Sequence, residues 1–190
     1  MNIPDTSADV DPIAAAAAIV HIQQLAIRYA VKVDQRDIAA VAALYTPDID
    51  CGHWGRGRDA VIKMYGENDS TMAVSIHQVT NHLVDLVDAD HATGVVYLLA
   101  EHQQHDGSWA RLAGAYHDNY ECRNGQWLIA KRRLLFWYRD SDTLPSTVKR
   151  DTTYRVFAKW PTLPEAWPSW TQFWSEHEVP ARPHASLDRR

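Results

Sequence analysis

The sequence predicts an α+β fold in which helices come first and a curved antiparallel sheet follows. Between Ala14 and Tyr65 apolar residues recur at helical spacing. Between Ser75 and Tyr138 they alternate strand-fashion, and turn-forming clusters interrupt that region at three points. Helices first, then a four-strand antiparallel meander, argue for helices packed on one face of the sheet.

From Ala14 to Gln35 the polar residues Gln24, Arg28, Lys32 and Gln35 form one stripe, and Ile19, Ile22, Ala26, Tyr29 and Val33 cluster opposite it, as in an amphipathic helix with one packed face. A short helix is expected over Ile38–Tyr45, ended by Thr46-Pro47-Asp48, because proline pushes its predecessor out of the α region. Trp54 to Asp59 reads as a loop, and Ala60–Tyr65 as a short helix with Asp59 as its cap. Strands are expected over Ser75–Val87, Thr93–Gln104, Ala110–Cys122 and Trp127–Tyr138. Asp88-Ala89-Asp90, His105-Asp106-Gly107 and Arg123-Asn124-Gly125 supply the turns of a four-strand meander.

The 190 residues suit one domain: a mobile tail over residues 1–13, a globular unit over 14–140 and an extension over 141–190. The extension holds six of nine prolines and four of eight tryptophans, so it should pack on the domain or a neighbouring subunit rather than form sheet. A net charge of -5 argues against nucleic acid as partner. The apolar run Ile13–Val20 is too short to span a membrane. Cys51 and Cys122 form no disulfide or zinc pattern, which makes a reducing cytoplasm the expected location.

Five polar groups fall on predicted inner faces. Asp34 stands at the margin of the apolar helix face, Tyr29 lies within it, and His77 has Ile76 and Val79 as apolar neighbours. His102 alternates onto the face of Leu98 and Ala100. Arg132 shares a face with Leu128, Ala130 and Leu134, where an inward arginine needs a carboxylate or an anionic substrate. Each alone is ordinary; together they indicate a polar site in an apolar interior. His77 and His82, five residues apart, are expected on opposite faces of their strand. No metal-ligand spacing, phosphate-binding glycine pattern or nucleophile elbow is present, so no metal or cofactor is expected.

Several segments in order carry a family resemblance: Arg28-Tyr29-Ala30 with Asp34, Leu44-Tyr45-Thr46-Pro47-Asp48, Gly57-Arg58-Asp59-Ala60, Ile76-His77-Gln78-Val79-Thr80-Asn81, Gly114-Ala115-Tyr116-His117-Asp118 and Gly125 to Arg132. Over about Ala17–Arg139 the chain resembles the SnoaL-like branch of the NTF2-like superfamily. That branch includes scytalone dehydratase, bile-acid 7α-dehydratase, hexachlorocyclohexane dehydrochlorinase and polyketide cyclases. The resemblance implies a cone, with a curved sheet wrapped around the N-terminal helices over an apolar pocket. It also implies an Asp34–His77 catalytic dyad, with Arg132 matching an arginine of the dehydrochlorinase. Tyr29 matches a lysine there and a tyrosine in the bile-acid enzyme, and the second histidine of scytalone dehydratase suggests His102.

The expected activity is a cofactor-free elimination from a small apolar, aromatic or polycyclic substrate. His77 would be the base, Asp34 its orienting partner, Tyr29 and Arg132 donors to developing charge, and His102 or Tyr116 the acid. Tyr116, Trp54, Leu98, Leu112 and Asn81 are the expected substrate contacts, with Tyr97 and Phe136 as further wall candidates. The same constellation fits formaldehyde loss, a ketosteroid-isomerase-like isomerisation or polyketide cyclisation. Outside catalysis, it fits a ligand-binding protein or a subunit like the small subunit of ring-hydroxylating dioxygenases. The outer face of a cone sheet implies a homo-oligomer, with a trimer favoured over a dimer.

Overall fold

Each helix begins at an identifiable cap. In the computed structural model, which describes residues 11–141 and Pro168, the Asp11 carboxylate accepts from the Ala14 amide at 3.0 Å. With proline in its first turn, α1 then runs Pro12–Asp34, two residues earlier than the apolar spacing indicated. Its buried residues are Ile22, Leu25, Ala26, Tyr29, Ala30 and Val33, and that stripe packs on the sheet. By length and composition α1 could also cross a membrane; the buried stripe makes its second half a core helix. Asp37 caps α2 (Ile38–Ala43) by accepting from the Ala40 amide at 3.2 Å. A 3-10 turn at Gly52–Trp54 precedes α3 (Arg58–Asp69). This third helix is longer than predicted. Gly57, not Asp59, occupies its N-cap at φ 86°, and a Cβ there would come within 3.1 Å of the Pro47 carbonyl.

Four antiparallel strands follow in sequence order: β1 (Met72–Leu86), β2 (His91–Gln104), β3 (Trp109–Arg123) and β4 (Gln126–Ser141). The β3–β4 turn is closed by Asn124 and Gly125, both at positive φ as the hairpin geometry requires. The result is the α+β arrangement of an NTF2-like cone, helices on one face and sheet around them. The expectation for the extension over residues 141–190 falls outside the described residues, apart from Ser141 closing β4 and Pro168.

Two bulges change which side chains enter the cone. In β1 the register slips between Val79 and His82, so Val79 and Val84 both pack on the core and His82 is turned inward with them. The expectation that His77 and His82 face opposite ways is therefore corrected: strict alternation ends at Thr80–Asn81, and Asn81 itself is exposed. In β4 the slip between Ile129 and Lys131 puts Trp127 and Ile129, rather than Leu128 and Ala130, in the cluster that also holds Leu134 and Phe136. Arg132 still faces inward. Tyr97 packs in a separate outer cluster with Ala115, Leu135 and Trp137, so it does not line the interior.

Close strand packing depends on Gly114, where a Cβ would stand 2.6 Å from the Leu135 carbonyl oxygen. Because backbone cannot yield as a side chain tip can, Gly114→Ala should lower stability by roughly 1–3 kcal/mol, read as a lower urea midpoint at unchanged slope.

Candidate functional site

Asp34 ends α1 beside the start of β1, so a helix terminus and a strand meet at one carboxylate. Its Oδ1 lies 2.7 Å from His77 Nδ1, and its Oδ2 accepts the His77 backbone N–H at 2.8 Å. Ser75 Oγ donates to Oδ1 at 3.1 Å. Burial opposes ionisation of Asp34, but the His77 ring, its backbone N–H and charge, and the Ser75 hydroxyl outweigh it, so the carboxyl lies below its usual value. An ionised carboxylate only accepts, which puts hydrogen on His77 Nδ1 and leaves Nε2 with the lone pair. The imidazole side chain is 8% exposed and the carboxylate 26%.

His102 stands next to this pair, its ring centroid 5.5 Å from that of His77. Burial, with smaller contributions from the repulsion that a protonated His77 and the Arg139 and Arg36 guanidinium groups would exert on a second cation, lowers its pKa to about 4. It is a neutral imidazole near pH 7, and its buried Nε2 has no partner among the described residues. The folded state thus prefers the neutral ring, and the stability this contributes is complete above the ordinary histidine value near 6.5. It is lost as pH falls from there through about 4. A melting-temperature profile should drop over that window, and His102→Gln should flatten part of the drop.

A cluster of phenols forms the next wall. Tyr29, on α1, accepts from Tyr65 Oη on α3 at 3.2 Å and from Tyr116 Oη on β3 at 3.3 Å. Tyr45 and Tyr65 hydroxyls lie 2.9 Å apart. Tyr45 is held there because the segment after α2 docks on β4, with Thr46 N–H bonded to the Ile129 carbonyl and Ile129 N–H to that of Leu44. With its oxygen taking two donors, Tyr29 has its own proton to offer elsewhere. Burial raises the Tyr65 and Tyr116 hydroxyls well above the ordinary phenol value, so they stay protonated.

Arg132 lies between two of these rings, its guanidinium carbon 4.3 Å from the Tyr29 centroid and 4.0 Å from that of Tyr116. Cross-strand Asp118 holds it in a two-point pair, Nε to Oδ1 at 2.9 Å and Nη2 to Oδ2 at 2.6 Å. Tyr120 also donates to Asp118, at 2.9 Å, and its hydroxyl contacts His82 Nε2 at 3.1 Å. Burial works against the Arg132 charge, but Asp118 more than restores it, and the guanidinium stays charged. Its Nη1 is buried without a partner among the described residues.

Asp34, His77, His102, Tyr29, Tyr116 and Arg132 are therefore brought together, with Leu98 and Leu112 in the same inner core. Asn81 is excluded by its exposure, and Trp54 sits apart in its 3-10 turn, half-buried beside His53 and Lys63. Cavities of about 270 Å³ over Asp85, Gly94 and His117 and about 130 Å³ over Ile76, Leu99 and Tyr138 touch neither dyad residue. Sequence reasoning missed Asp118, Tyr65, Tyr45, Ser75 and Arg36. Asp118 was within reach, since alternation from Tyr116 puts it on the inner face opposite Arg132.

A SnoaL-like domain model matches residues 14–133. No curated protein matches the chain. Among solved structures, a protein designated a candidate scytalone dehydratase from Novosphingobium aromaticivorans superposes with a TM-score of 0.63 at 22% identity, over 68% of this chain and 91% of that one. The type-3 hexachlorocyclohexane dehydrochlorinase of Novosphingobium barchaimii gives 0.64 at 21% identity, over 73% and 99%. A Mycobacterium tuberculosis protein of unknown function gives 0.56 at 28% identity, over 63% and 76%.

Proposed function

Because the chain belongs to the SnoaL-like domain family, we propose that it is a cofactor-independent lyase in which His77 takes a proton from carbon and Asp34 fixes the ring that takes it. The single observation carrying this reading is the 2.7 Å contact between His77 Nδ1 and an ionised Asp34, which presents Nε2 as a base.

The step balances within the site. Nε2 takes the C–H proton, and the electron pair moves into a new double bond or onto an adjoining oxygen. The bond to the leaving hydroxyl then breaks, and the imidazolium returns the proton to the departing oxygen, for a net loss of water. Tyr29 O–H and Arg132 Nη1 are the donors suited to an oxygen that gains charge on the way. Protonation of the leaving group is assigned to the His77 imidazolium or to Tyr29 rather than to His102, because a histidine with a pKa lowered to about 4 is neutral near pH 7 and its one remaining N–H is a weak acid suited to hydrogen bonding.

Substrate is proposed to be aromatic or polycyclic, from the mixture of phenol rings with Leu98, Leu112, Leu134 and Phe136 around the interior. Formaldehyde loss and double-bond isomerisation share the first proton transfer and differ only in the bond that breaks next. A screen of aromatic and steroid-like alcohols, read by mass spectrometry, tests the proposal. Loss of water or formaldehyde that depends on the enzyme is expected; ligand binding with neither a change in mass nor a new chromatographic peak of unchanged mass across the panel would favour a sequestering protein.

A further inference from the structure

Arg36 lies two residues beyond α1 at φ 58°, the left-handed region that disfavours any residue with a Cβ and that glycine enters freely. An arginine at such a turn points to a use for its side chain. The guanidinium reaches across to β1: Nη2 donates to the Met72 carbonyl at 3.2 Å, and Nη1 donates to the Val33 carbonyl at 3.1 Å and to Ser75 Oγ. Ser75 is buried, and its hydroxyl donates on to Asp34 Oδ1.

The polarity of this chain has one solution. A guanidinium only donates, so it occupies a lone pair of Ser75 and leaves the hydroxyl hydrogen for Asp34. A carboxylate only accepts, so Asp34 takes that hydrogen and the one on His77 Nδ1. We propose that Arg36 and Ser75 are positioning residues for the dyad: Arg36 locks the Ser75 hydroxyl, the hydroxyl locks the plane of the Asp34 carboxylate, and that plane keeps His77 in the tautomer whose Nε2 can accept a proton. This rests on reading His77 as the base. The charged and titratable groups around the chain are Asp69 at the end of α3, whose burial raises its pKa, together with His102 on β2 and Arg139 on β4. The donors on Asp34 are the Ser75 hydroxyl and the ring and backbone N–H of His77.

The test is a long-range proton–nitrogen NMR correlation on protein labelled with nitrogen-15 histidine, recorded at alkaline pH without substrate, with His77→Gln to assign the ring. Wild type should show His77 with hydrogen on Nδ1 alone. Ser75→Ala and Arg36→Gly should each show mixed tautomers, and Ser75→Thr should restore the pure one. Arg36→Gly separates positioning from folding, since glycine suits the backbone there and the melting temperature should change little. On a substrate from the screen, both disruptive variants should lower kcat about tenfold, the effect of one hydrogen bond, with KM unchanged. A pure Nδ1–H tautomer in both Ser75→Ala and Arg36→Gly would overturn the proposal. If Ser75→Ala does not fold, Arg36→Gly decides alone. If His77→Ala kept full turnover while these variants still mixed the tautomers, the catalytic reading would fall and the positioning would stand.

Discussion

His77→Ala should lower turnover by about 10²–10⁴-fold, the usual contribution of a positioned base. The loss should lie in kcat, because the ring acts on the proton in flight rather than on the resting substrate. The fold should survive. Asp34 would lose one of its three hydrogen-bond contacts, that of the ring, because the backbone N–H of residue 77 and the Ser75 hydroxyl still donate, and its side chain is 26% exposed, so water can replace the ring. Asp34→Asn should be nearly as damaging for a different reason. An amide in place of the carboxylate can turn its NH₂ toward Nδ1 and force the hydrogen onto Nε2, the wrong tautomer for a base. Steady-state kinetics with melting temperatures for both variants checks the pair of expectations, and full turnover in His77→Ala with intact folding would remove the dyad from the mechanism.

Asp118→Ala should be the most destabilising single substitution at the site. The side chains of Asp118 and Arg132 are 0% and 8% exposed, so the deletion strands a buried guanidinium and also leaves Tyr120 Oη without its acceptor. Removing one member of such a pair costs about 3–5 kcal/mol, which in a domain of this size is a fall of roughly 10–20 °C in melting temperature. Replacing both members, Asp118→Leu with Arg132→Met, removes the stranded charge and should recover most of that loss. The double variant should nonetheless remain weakly active, because the unpartnered Arg132 Nη1 donor goes with it. Thermal unfolding followed by circular dichroism distinguishes the single from the double variant.

How much of this was legible in the sequence depends on how local each determinant is. The helices and strands followed from periodicity and caps, and their ends moved by a few residues, most at α3, where Gly57 rather than Asp59 starts the helix. Tyr29 and Asp34 followed from helical spacing and His77 and His102 from strand alternation, whereas Arg132 was placed inward partly by Leu128 and Ala130, which the β4 bulge turns the other way. The two bulges could not be read, because an extra residue in a strand leaves no mark on composition. His82 and Asn81 were consequently given the wrong sides. The phenol cluster was likewise hidden. Tyr65 on α3 meets Tyr29, and Tyr45 joins them through Tyr65, held in place because the linker after α2 is hydrogen-bonded to Ile129, far along the chain on β4. Nothing in the sequence singles out Arg36, and only its backbone angle and its reach to β1 mark it out.

The most direct test of the central claim needs no leaving group at all. Aromatic and polycyclic ketones that cannot eliminate can be incubated with the protein in deuterium oxide, and exchange at the carbon beside the carbonyl followed by NMR. If His77 is the base, wild type should exchange that hydrogen and His77→Ala should fall to the rate seen without protein. Equal exchange by wild type and His77→Ala would contradict the account.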